Sequence, residues 1–175
     1  MSGVCMLREF LSEENIALHK EYVRQRRLKY SILEASLKEL TGAGVKDLYR
    51  LKLDDRDRAD ALELLPQIIL HDVFFSSFCE CRHPRSVLVS SVYGSEASFL
   101  NRLYKAAEGA QFGFLIIGRG ASYSVVTDYK RALRYDEPLL AVDLCEHAYF
   151  LDYGFDRERY LVSALSHLDL KKITI

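Results

Sequence analysis

Apolar positions recur at helical spacing through the first half of the chain and at strand spacing only later. Ser12 is a good N-cap, and Glu13 and Glu14 follow it in the first turn, where the helix dipole favours acids. Ile16, His19, Val23, Tyr30, Leu33 and Leu37 then fall at three-, four- and seven-residue steps. This stripe predicts a helix from Ser12 toward the glycines at 42 and 44, about thirty residues long. A helix of that length needs a partner packed along it. Residues 54–65, charged and then apolar, predict the start of a second helix, and Pro66 predicts a kink or a fresh start. Beyond it Ile68, Ile69, Leu70, Val73, Phe74, Phe75 and Phe78 carry the apolar pattern on. Two long helices joined by a loop predict an antiparallel hairpin.

Residues 79–85 break the periodicity and read as a crossing between lobes, with His83 as an exposed loop histidine. Residues 95–107 predict a helix with Phe99, Leu103 and Ala106 inward. The period then changes: residues 112–117 and 121–127 read as strands about a turn at 118–120. After a loop at 129–137, residues 139–143 read as a third strand, and short connections favour an antiparallel meander. A helix over 157–168 closes the chain. The expected fold is α+β: an N-terminal antiparallel α-hairpin over residues 1–82, then a C-terminal α+β domain over 83–175 with a three-stranded antiparallel sheet and helices.

Composition narrows the partners. A net charge of −1 over 175 residues gives no sign of nucleic acid or a membrane surface. The basic run of Lys20, Arg24, Arg26, Arg27 and Lys29 reads as a solvated helix face. No apolar segment reaches the length of a membrane span, and the N-terminus lacks a signal-peptide layout. Cys79 and Cys81 have no second pair to complete a zinc set, and the remaining cysteines, Cys5 and Cys145, need no disulfide framework. A reducing, cytoplasmic setting is expected.

The candidate chemistry gathers where the third strand runs out. Asp143 and His147 stand four residues apart there, a carboxylate and an imidazole suited to a first-row metal. The same spacing also fits a hydrogen-bonded pair at a strand end. Gln67 and His71, at i and i+4 on an apolar helix, each need a partner if buried. His19 lies on the first apolar stripe, where a satisfied core histidine is the commoner case.

Residues 138–161, PLLAVDLCEHAYFLDYGFDRERYL, resemble the C-terminal signature of the iron/manganese superoxide dismutases. Asp143, Glu146, His147, Ala148, Tyr149, Asp152, Tyr153, Arg157 and Tyr160 fall on that signature without a gap. Residues 92–113 are similar to the family's helix-and-glycine run before its sheet, and Leu70-His71-Asp72-Val73-Phe74-Phe75 to the segment with its second ligand histidine. The resemblance implies one iron or manganese ion per subunit, held by His19, His71, Asp143 and His147. It implies conversion of superoxide to dioxygen and hydrogen peroxide. Gln67 resembles the glutamine that iron-type members place beside the metal, a lean toward iron. Glu146 and Tyr149 would face the second subunit of a homodimer, and Arg157 would lie near the substrate mouth. Counting from His19 puts Val23 and Arg27 where the family has a histidine and its gate tyrosine, although Tyr22-Val23 resembles the family's Tyr-Val pair. An alternative register that matches Tyr22 to the gate moves the ligand position back to Glu14. The Ser12 cap, seven residues before His19, favours His19. The chain departs from the family in having no tryptophan; Cys145 and Phe75 stand where the family has one. The alternative function is a superoxide-dismutase-like metal-binding protein without dismutase activity, in a structural or interaction role.

Overall fold

The computed structural model describes residues 7–79, 85–129 and 138–175, so the expected boundary at 82/83, His83 and Cys81 lie outside the described residues. Helix α1 is Glu13–Ser36, started by Ser12, whose Oγ accepts from the Asn15 N–H at 3.1 Å. The Ser12 N–H in turn donates to Asp152 Oδ2 at 2.8 Å, which ties the helix start to the far end of the chain. The helix is 24 residues long and stops before the glycines. Leu37 leaves the helix in extended conformation, and a single 3₁₀ turn at Lys38–Leu40 carries Leu40 into full burial. Burial of Leu40, a tertiary effect, ends the helix sooner than Gly42 would.

A short helix, α2 (Val45–Leu48), leads into α3, Asp55–Ser76, capped by Asp54. Helix α3 runs unbroken through Pro66, where a kink or restart is expected from sequence. Proline costs a helix interior about 3 kcal/mol through a lost N–H and a ring clash. Here Pro66 is buried among Leu62, Gln67, Ile68 and Leu70, and packing of this face outweighs the local penalty. Contacts between α1 and α3 run in opposite senses: His19 meets His71, Arg26 meets Gln67, and residues 29–36 line a groove with 60–64. The two helices are therefore antiparallel, as expected.

Helices α4 (Val87–Tyr93) and α5 (Glu96–Glu108) follow, the second capped by Ser95 and burying Phe99, Leu103 and Ala107. Ala107 takes the fully buried place that spacing assigned to Ala106. Three strands form the sheet: β1 (Phe114–Ile117), β2 (Tyr123–Val126) and β3 (Leu140–Asp143). All pairings are antiparallel, but the order is β2-β1-β3 rather than the expected meander, with β1 in the centre. Burial explains this order. Strand β3 is buried at every position and pairs with the buried β1, whereas β2 is half-exposed and takes the edge. Gly113 makes the hairpin possible: its φ is +103°, and a Cβ there would lie 2.1 Å from the Val126 carbonyl oxygen.

After β3 come a 3₁₀ turn at Glu146–Ala148, α6 (Phe150–Tyr153) and α7 (Arg157–Ser166), two residues shorter than predicted. The end of α3 is pinned to this region. Ser77 Oγ accepts from the Ala141 N–H at 2.7 Å, the Cys79 N–H donates to the His167 carbonyl at 2.8 Å, and Phe78 bridges Leu168. These bonds bring the last turns of α3 alongside β3. The buried apolar side chains of helices and sheet form one cluster. Among the described residues no helix is long and apolar enough to cross a membrane.

Candidate metal centre

Four side chains from four elements converge on one point. His19 comes from the second turn of α1, His71 from the last third of α3, Asp143 from the final residue of β3 and His147 from the 3₁₀ turn after it. The Nε2 atoms of His19, His71 and His147 lie 3.1, 3.3 and 3.0 Å from the single oxygen Asp143 Oδ2. All four donor atoms lie within 4.8 Å of one another. Glu14, the alternative from the shifted register, is exposed to solvent, so the register on His19 is the one the fold adopts.

None of these four atoms has a hydrogen-bond partner, although each is buried. Orphaned polar atoms of that kind cost about 1–3 kcal/mol apiece in a folded protein. A cation between them would satisfy all four, and spacings near 3 Å suit donors that each lie about 2.1 Å from a first-row ion. Three neutral imidazoles and one carboxylate are an apt set for iron or manganese. The donor set thus fits a metal.

The surroundings of His71, Asp143 and His19 set what each can offer. His71 Nδ1 is 2.6 Å from the Gln67 carbonyl. A carbonyl only accepts, so Nδ1 carries the proton and Nε2 offers its lone pair. Asp143 Oδ1 accepts from the Cys145 N–H at 2.9 Å, leaving Oδ2 for the centre. The Asp143 carbonyl accepts from Tyr160 Oη at 2.7 Å, so both ends of the residue are fixed. Burial alone would raise the Asp143 pKa, but the three facing imidazoles outweigh it and hold the carboxyl well below the usual range. Burial lowers the His19 pKa, against the pull of Asp143, and so favours the neutral, ligating form.

An aromatic wall encloses the ligands despite the missing tryptophans. Phe74 and Phe75 lie 4.9 and 5.1 Å from the His19 ring, and Phe114 meets His71 edge-on at 5.0 Å. Tyr129 packs on Phe114 and sets its hydroxyl 3.8 Å from Cys145 Sγ. Burial first, then the nearby Asp143 carboxylate, pushes the Cys145 thiol up to about 12, so this cysteine is an uncharged wall residue.

The other predicted site residues have more particular placements. Tyr22 stacks on the His147 ring at 4.1 Å, and burial pushes its phenol up to about 12 against the opposing influence of Arg26. Gln67 is buried, but its Oε1 accepts from Arg26 Nε at 2.7 Å, and its Nε2 donates to the carbonyl and carboxylate of Glu63, both at 2.8 Å. Arg157 donates to the carbonyls of Ala107, Glu108 and Ala110, where it caps the C-terminal end of α5. Glu146 is exposed, whereas Tyr149 is buried against Tyr160 with ring centroids 4.6 Å apart.

The sequence assigns no role at the site to Phe114, Phe74, Tyr129 or Arg26, and Tyr160 only a place on the signature. A lone tyrosine or phenylalanine in an apolar run carries no mark of what it will touch. Arg26 had one signal: it stands seven residues after His19 and four after Tyr22, on one helix face.

No curated protein matches the chain. The family model described as iron/manganese superoxide dismutases, C-terminal domain, matches residues 86–174. That span includes Asp143 and His147; His19 and His71 lie before it and reach the same point through the fold.

Proposed function

Since the chain belongs to the iron/manganese superoxide dismutase family, we propose that it is a superoxide dismutase acting at one iron or manganese ion held by His19, His71, Asp143 and His147. The observation that carries this reading is the set of four buried donor atoms with no partner but one another's company. The chemistry such an ion supplies is one-electron redox: one superoxide is oxidised to dioxygen, and the next takes up that electron and two protons to become hydrogen peroxide. The protein's part is to favour the neutral form of His19 by burial, orient His71 through the Gln67 carbonyl, hold the carboxylate at a fixed angle through Cys145 and Tyr160, and exclude bulk water with Phe74, Phe75 and Phe114. Tyr22, set on the one ligand with appreciable exposure, stands where a small substrate must pass. A homodimer with Glu146 at the interface belongs to this reading. The Gln67 amide, expected beside the metal as in iron-type members, here serves Arg26 and Glu63 instead.

The test is elemental analysis followed by a superoxide-scavenging assay. Wild-type protein should carry close to one iron or manganese per chain and scavenge superoxide. His71→Ala should lose both, by at least about tenfold in metal affinity, as loss of a direct ligand outweighs the 10–100-fold cost of losing a supporting residue. Equal activity in both would place the chemistry elsewhere.

One observation favours a second reading, a metal-binding relative without dismutase activity in a structural or interaction role. Both amide hydrogens of Gln67 are taken by Glu63, so this amide offers no donor to the centre. Full metal content with background activity would select that reading.

A further inference from the structure

We propose that Arg26 is a positioning residue and the anion-capturing cation of this centre: it clamps the Tyr22 ring on His147 and makes the mouth a subsite for a small monovalent anion. The proposal rests on the reading of the four-residue cluster as a metal centre and goes beyond it by assigning a part to a residue outside that cluster.

Tyr22 and Arg26 follow His19 by three and seven residues, one face of α1. The Tyr22 ring lies nearly parallel to the His147 imidazole, at 4.1 Å and 24°. The Arg26 guanidinium carbon lies 3.3 Å from the centre of the same ring. Two groups so close cannot occupy one face, so the phenol ring is sandwiched between guanidinium and imidazole. A guanidinium over an aromatic face is attracted by the ring's quadrupole and, being planar, matches it in shape. Arg26 is itself held by its bond to Gln67 Oε1, and Gln67 by its two bonds to Glu63. A column Glu63–Gln67–Arg26–Tyr22–His147 therefore runs from α3 to the ligand.

Its location gives it a role. The side chain of His147 is 28% exposed, while those of His19, His71 and Asp143 are 0–1% exposed. Among the described residues of the cluster, His147 is the one with a partly exposed side chain, and the column stands against its ring. The neighbouring arginines are neutralised, Arg24 by Glu21 and Arg27 by Asp72. Arg26 has no carboxylate partner among the described residues; its partners are a neutral amide and a ring. Arg157, expected at the mouth, spends its guanidinium on the end of α5. Of Arg24, Arg26 and Arg27, Arg26 is thus the one that bonds no carboxylate directly among the described residues, Glu63 reaching it only through the Gln67 amide. A positive charge beside a narrow opening concentrates small anions there.

The experiment compares wild type, Arg26→Lys and Arg26→Met, each loaded with metal to measured and equal content. Azide, a small monovalent anion, is titrated at low and high salt and followed by the visible spectrum. The expected result is azide binding about tenfold weaker in Arg26→Met, with its salt dependence lost, and near wild type in Arg26→Lys. Near-ultraviolet circular dichroism of the metal-free proteins reads the clamp independently of loading. The chain has no tryptophan, so this signal is dominated by tyrosine. Both variants should lose the band that Tyr22→Phe removes. Azide affinity and salt dependence unchanged in Arg26→Met would overturn the anion subsite, and an unchanged tyrosine band in both variants would overturn the clamp, whatever the dismutase activity. Absence of bound metal in the wild type would overturn the reading of the cluster and the anion subsite with it, while the spectrum of the metal-free protein would still decide the clamp.

Discussion

Asp143 does three jobs with three oxygens. Oδ2 faces the imidazoles, Oδ1 accepts from Cys145, and the backbone carbonyl accepts from Tyr160. These jobs separate under mutation. Asp143→Asn keeps an oxygen for the Cys145 N–H and leaves the Tyr160 bond intact, so the fold should survive while metal content falls to below about a tenth, since a neutral amide replaces the one anionic ligand; metal analysis beside far-ultraviolet circular dichroism checks both halves. Tyr160→Phe does the reverse. It leaves every ligand in place but deprives a buried carbonyl of its donor, at a cost of about 1–3 kcal/mol measured by urea unfolding. Asp143 and His147 were legible in the sequence because their signature is local. His19 was legible only jointly, as one of four residues in the right order, since a lone histidine on an apolar stripe carries no mark of what it will meet. The contacts of Gln67 and Arg157 were not legible at all. Each bonds groups 41–50 residues away as well as nearby ones, and the fold alone decides which groups those are.

At the scale of the element, the two places where local rules and structure part company have a common cause. Helix α1 stops short of its glycines because Leu40 is drawn into the core, and α3 continues through Pro66 because its flanks are buried. Tertiary packing overrode propensity in both. The Ser12 cap, which acts within four residues, was legible, and Asp54 and Ser95 cap the helices whose predicted spans begin at them. The strand order was not, because loop length does not say which edge of a hairpin the third strand will join. The β1–β2 hairpin supplies a sharp test. Gly113→Ala forces a Cβ against the Val126 backbone and should cost more than about 3 kcal/mol or prevent folding. Gly120→Ala, also at positive φ but with open space around it, should cost only about 1–2 kcal/mol. Thermal unfolding of the pair separates steric conflict from backbone strain.

For the whole molecule, pH reports on the centre. The pKa of His19 is lowered in the folded protein, so the unfolded chain binds that proton more readily and metal-free stability must fall as pH drops below about 6.5, by at most about 1.4 kcal/mol per pH unit. Asp143 adds a stabilising contribution that is present above the ordinary carboxylate range and is lost only as pH falls through its much lower folded pKa. Metal-free His19→Gln should therefore show a flatter stability profile between pH 6.5 and the acid limit, read from denaturant midpoints. The burial of three of the four ligand side chains has a kinetic consequence. Among the described residues, the routes to Nε2 of His19 and His71 are past His147 or by parting α1 from α3, so exchange of a bound ion in the folded state would be governed by opening, not by affinity. The order of intrinsic preference among first-row metals then has little time to act. On the proposed metal reading, the ion at hand while the helices close would be the one retained, and protein folded in excess iron and then moved to excess manganese should keep its iron for as long as its most protected amides resist hydrogen exchange.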